Sequence, residues 1–204
     1  IFFAFNNQSV KITEKFKNSK SRSKIIEVGC LNEVKNLRQS IPKLQDILFV
    51  STNLYFGNKP NGVPSVDDFL LASFEIDLVK KVFSNVNKNI FYKPYPAVRY
   101  LDEDPVINEI NFHNNIRLVG THQDLRFIVK NYKLVITSRA TSTVSWVVAS
   151  KRPFVFIDHF CHARLSDEAR VDFSEAFFYF DEKKSGFYKN LLKFLQTPIG
   201  VIEN

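Results

Sequence analysis

The chain has 204 residues, 45% hydrophobic and 14% aromatic, enough to bury one substantial core with a short appendage but not two full domains. Its formal net charge of +7 favours anionic partners, and two distant cysteines, Cys30 and Cys161, argue against a disulfide-built secreted scaffold and for free cytoplasmic thiols. No run approaches the roughly 20 apolar residues of a membrane helix, and Ile1 to Phe5 is too short for the apolar region of a signal peptide. The chain opens at Ile1 and contains no methionine, the pattern expected of a segment of a longer protein.

Residues 1–24 are basic and polar: Lys11, Lys15, Lys17, Lys20, Arg22 and Lys24 surround the single acid Glu14, and Ser19, Ser21 and Ser23 alternate with the bases. This composition has little to bury and reads as a linker or exposed strap from an upstream domain. Beyond it come short β-rich runs: Ile25 to Val28, Ile47 to Ser51, Ile90 to Tyr92, Ile116 to Val119, Leu134 to Thr137, Phe154 to Ile157 and Phe177 to Phe180. Near-continuous apolar runs suit parallel strands covered on both faces. Between them lie segments of helical spacing: Phe69 to Phe83, Leu125 to Val129, Thr143 to Ser150, and Phe187 with Leu191 and Leu195. The alternation predicts an α/β domain over 25–204 with a doubly wound, Rossmann-like parallel sheet. Gly57, Pro60, Gly62 and Pro64 mark a long loop at the end of the second run, with Ser65, Asp67 and Asp68 as a helix start beyond it.

The stretch from Leu134 to Trp146 passes from a buried strand through a hydroxyl-rich turn into an apolar helix. Ser138, Arg139, Thr141, Ser142 and Thr143 would surround free backbone N–H groups at a positive helix end, a natural phosphate site. The turn has no glycine, so it is neither a Walker loop nor a dinucleotide fingerprint. Arg139 opposes the helix dipole unless an anion compensates, although an ordinary capped helix start accounts for the same residues. Lys93 and Tyr95, sent to one face by strand alternation, and then Arg99 form a second phosphate-binding set, with a plain proline-punctuated strand exit as the rival reading. His122 and Asp158 lie at carboxyl strand ends and are candidates for contacting base or ribose; the turn from Thr121 to Asp124 also suits a simple helix start. His159, Cys161 and His162 do not match a common zinc spacing, so no metal site is expected. Asp102, Glu103 and Asp104 read as a solvated acidic loop.

Two of these stretches resemble motifs of GT-B-type transferases of capsule, lipopolysaccharide and teichoic-acid biosynthesis. Lys93-Pro94-Tyr95-Pro96 is similar to their Lys-Pro-His-Pro turn, and Val135-Ile136-Thr137-Ser138 with Thr141-Ser142-Thr143 and Arg152-Pro153-Phe154-Val155-Phe156 is similar to their donor-phosphate motif. The resemblance implies the carboxyl-terminal half of a bacterial GT-B enzyme that transfers a sugar or glycerophosphate-type group from a nucleotide-activated donor to a glycan or lipid-linked acceptor. It implies no cofactor beyond that donor, and an amino-terminal domain that binds acceptor and often supplies the base. Tyr95 stands where those relatives carry a histidine, and tyrosine stays neutral near pH 7. A sugar-nucleotide epimerase of the same fold is the nearest alternative, and a non-catalytic nucleotide- or nucleic-acid-binding module is the alternative of another class. The basic strap also suits peripheral contact with the inner face of an anionic membrane.

Overall fold

A computed structural model describes residues 2–4, 6–16, 24–28, 44–51, 68–95, 104–160 and 164–202. The chain divides into two compact units, 1–33 and 34–204.

In the first unit a strand, β1 (Phe2–Ala4), leads into a helix, α1 (Asn7–Phe16), and then a second strand, β2 (Ile25–Glu27), which runs parallel to β1 with Phe2 opposite Ile25. Asn6 starts the helix by accepting the Ser9 N–H at 2.8 Å. Residues 7–16 of the strap are helical. One sequence expectation is corrected here: Ile25–Glu27 does not join the large sheet but pairs with Phe2–Ala4.

The second unit is an α/β domain with six parallel strands: β3 (Gln45–Val50), β4 (Ile90–Lys93), β5 (Ile116–Leu118), β6 (Tyr132–Thr137), β7 (Phe154–Asp158) and β8 (Phe178–Asp181). Their order in the sheet is β5-β4-β3-β6-β7-β8. The chain therefore starts at the centre, winds outward through β4 to β5, returns to lay β6 beside β3, and winds outward the other way. This is the doubly wound dinucleotide-binding order, with its switch point between β3 and β6.

Strand alternation divides the core in two. Ile47, Phe49, Ile90, Tyr92, Leu134 and Ile136 pack under α2 (Asp68–Lys81), α3 (Pro105–Ile110), α7 (Phe187–Gln196) and α8 (Ile199–Ile202). Leu48, Val50, Val135, Phe154 and Phe156 face the opposite side, with α4 (Leu125–Ile128), α5 (Ser142–Ser150) and α6 (Asp167–Ala176). Full burial of a side chain such as Phe49 stabilises by about 1.5–3 kcal/mol, and both faces of each central strand contribute. Lys88 closes the carboxyl end of α7 by donating to the Leu195 and Thr197 carbonyls, where a cation also suits the helix dipole.

Candidate functional site

The carboxyl ends of β3, β4 and β6 form the rim of the switch-point crevice. Val50 is in register with Lys93 on one side and Thr137 on the other, so two strand spacings separate those residues, about 10 Å between Cα atoms. The Thr137 hydroxyl donates to the Val50 carbonyl at 3.2 Å, and the Ser51 N–H donates to the Lys93 carbonyl at 3.0 Å. One residue beyond these strand ends, Ser51 and Ser138 are both buried.

From Ser138 the chain turns into α5, whose N-cap residue Thr141 has the extended backbone that suits the position but makes no side-chain capping bond. Its hydroxyl meets only the Thr143 hydroxyl, at 3.5 Å. By contrast, Asp104, Asp124 and Ser166 cap α3, α4 and α6 by accepting N–H groups of the first turn. The N-cap residue of α5 therefore leaves its first-turn N–H groups without a capping side chain at the positive end of the helix. Ser138 is 1% exposed and its Oγ has no hydrogen-bond partner among the described residues, an unsatisfied group of a kind that native cores rarely keep. Half-buried Arg139 forms no ion pair among the described residues. An acceptor-rich anion would satisfy all three at once.

Lys93 is 4% exposed, yet among the described residues its ammonium donates only to two carbonyls, of Pro94 at 3.2 Å and of Thr121 at 3.4 Å. Burial pushes its pKa below the ordinary lysine value, and the Asp124 charge offsets part of that. Asp124 is itself engaged by Arg126, at 2.9 and 3.0 Å from Nε, which holds its carboxyl low against a smaller opposing effect of burial. Lys93 is thus a buried cation with no ion-pair partner among the described residues.

Tyr95 is exposed and lies two residues beyond the end of β4 at Lys93, which is buried. Arg99 lies outside the described residues. His122 is exposed in the turn before α4, its ring so close over Gly120 that a Cβ there would lie 2.7 Å from the imidazole Cε1. Asp124, not His122, makes the helix start.

Asp158 is buried, and its Oδ2 accepts from the Tyr179 hydroxyl at 2.6 Å and the Arg164 guanidinium at 3.2 Å, with Arg170 3.6 Å away. Arg164 also bridges to Asp181 at 2.8 Å, which ties the ends of β7 and β8 together. Burial and the Asp158 bond raise the Tyr179 phenol far above its usual range, keeping it a donor. His159 is buried with its ring 3.7 Å from that of Phe74, and Cys161 and His162 lie outside the described residues. Asp104, expected in a solvated loop, is the half-buried cap of α3, and burial raises its pKa; Asp102 and Glu103 lie outside the described residues.

Sequence reasoning misses a buried polar network beneath the rim. Glu75 on α2, 2% exposed, accepts from the Ser51 hydroxyl at 2.8 and 3.0 Å and makes a short bond with the Tyr92 hydroxyl, which also reaches Ser51 Oγ at 2.9 Å. Burial, and then the Glu75 charge, push the Tyr92 phenol well above its ordinary range. The available signal is a carboxylate inside an apolar stripe: Leu71, Glu75, Leu78 and Val82 follow helical spacing.

A cavity of about 830 Å³ lies at the other end of the sheet, at the starts of β7 and β8, between Arg152, Phe154 and Phe178. Ligands of open α/β sheets bind at carboxyl strand ends, so the rim around α5 is the stronger candidate. Among the described residues no group of three or more His, Cys, Asp or Glu side chains could hold a metal ion, and no helix is long and apolar enough to cross a membrane. Neither a protein-family model nor a curated protein sequence matches this chain.

Proposed function

We propose that residues 34–204 bind the nucleotide-activated donor of a transferase that builds bacterial surface polysaccharide, as the carboxyl-terminal half of a GT-B-type enzyme. In this reading the donor diphosphate rests on the amino end of α5. It accepts from the first N–H groups of that helix and from the hydroxyls of Ser138, Thr141, Ser142 and Thr143. Arg139 and Lys93, with Arg99, neutralise the charge that grows on the diphosphate as its bond to the transferred group breaks, which is electrostatic stabilisation of a leaving group. The acceptor is a glycan or a lipid-linked molecule at the inner face of the membrane.

The observation that carries the reading is the nine-residue helix at the switch point, without a side-chain N-cap, and the buried Ser138 hydroxyl at its approach, which has no partner among the described residues. The motif resemblance at Lys93 and at Thr137 to Thr143 adds the choice of a transferase. A thermal-shift panel of CMP, CDP, UDP, GDP and ATP tests it, beside the Arg139→Ala/Ser142→Ala variant. One nucleoside diphosphate should stabilise the wild-type chain by about 2.7 kcal/mol at 100 times its dissociation constant and lose most of that in the variant. No stabilisation by any nucleotide, or equal stabilisation of the variant, contradicts the proposal.

A further inference from the structure

The helix α1 buries none of its ten residues. Ile12 is 48% exposed and Phe16 85% exposed, and their spacing of four places them on one stripe. At about 100° per residue Lys15 and Lys11 flank that stripe on one side, while Glu14, the helix's one acid, lies opposite it. The sequence continues basic through Lys17, Lys20, Arg22 and Lys24, so six bases stand against one acid between residues 11 and 24.

We propose that the Ile12–Phe16 face of α1, bordered by Lys11 and Lys15, docks on an anionic lipid surface. The apolar pair enters the boundary between headgroups and acyl chains, the lysine stems run along it with their ammonium groups among the phosphates, and Glu14 stays in water. Charge selects the occupant: a basic cluster of this size beside an amphipathic helix attracts acidic headgroups. An aliphatic side chain next to the aromatic one favours hydrocarbon over nucleic acid, which offers Phe16 a base to stack on but Ile12 nothing. This inference is independent of the donor-binding reading.

Co-sedimentation of the whole chain with phosphatidylcholine vesicles, with and without phosphatidylglycerol, tests it. The chain should pellet with the anionic vesicles alone and be released by raised salt. Each of Lys11→Gln and Lys15→Gln should weaken partitioning about fivefold, and Ile12→Ser/Phe16→Ser should weaken it by about tenfold or more. Because these side chains are exposed, all variants should melt at the wild-type temperature, which separates lost docking from lost folding. Equal binding to neutral vesicles, no binding to either, or unchanged partitioning of Ile12→Ser/Phe16→Ser overturns the proposal. So does a face that instead mediates RNA binding or self-association without vesicle binding.

Discussion

Ser138 and Glu75 are both buried but in opposite hydrogen-bonding states. Ser138 Oγ has no partner among the described residues, so Ser138→Ala removes an unsatisfied group and should leave the unliganded melting temperature unchanged or raised, while reducing the shift caused by a nucleoside diphosphate. Glu75→Ala deprives the buried hydroxyls of Ser51 and Tyr92 of their acceptor and should lower stability by about 2–4 kcal/mol in urea titrations. Lys93 adds a pH signature. Its folded pKa lies below its unfolded value of 10.5, so its charge opposes folding at neutral pH. As pH rises through the lowered value toward 10.5 the unfolded chain binds more protons, and that penalty fades. Lys93→Met should therefore gain stability over wild type near pH 7, and the gain should shrink as the pH approaches 10, read from urea midpoints. A bound diphosphate reverses the neutral-pH ordering, because the wild-type ammonium then has its anion.

At the scale of elements, α5, like α7, starts without a side-chain cap, whereas α3, α4 and α6 have one. Thr141→Asp supplies an acceptor and a negative charge at the N-cap and should raise unliganded stability by about 0.5–1 kcal/mol while blocking nucleoside diphosphate binding. A change that stabilises the protein and removes its ligand is hard to explain if α5 is only a scaffold helix. Several elements are legible from local signals: the apolar run Leu134 to Thr137 falls within β6, and the hydroxyl-rich turn leads into α5. Others carry start signals that apolar periodicity overlooks. Asp104-Pro105 is an N-cap followed by proline at the first helical position, and Ser166 precedes Asp167 and Glu168 at the start of α6. Asp158 shows the limit of position alone: its strand-end place is legible, but the bonds of its Oδ2 to Arg164, six residues on, and to Tyr179 on the next strand are not.

At the scale of the whole molecule, the doubly wound order decides where a ligand can sit. The apolar runs announce parallel strands, but strand pairing is set by packing between distant segments, which no single run encodes. Ile25 to Val28 reads as strongly β as Ile47 to Ser51, yet it pairs with Phe2–Ala4 while the latter becomes the sheet centre. The return from β5 to β6 beside β3 creates the crevice and brings Lys93, Ser51 and Ser138, far apart in sequence, to one rim. The central claim is that a donor diphosphate occupies this rim at the start of α5. An assigned ¹⁵N–¹H amide spectrum of the chain, titrated with CDP, UDP and GDP in turn, tests it most directly. The account predicts saturable shifts that are largest at Ser138, Ser142 and Thr143 for one of the three; shifts centred instead on Lys151 and Arg152 at the opposite edge, or none with any, would contradict it.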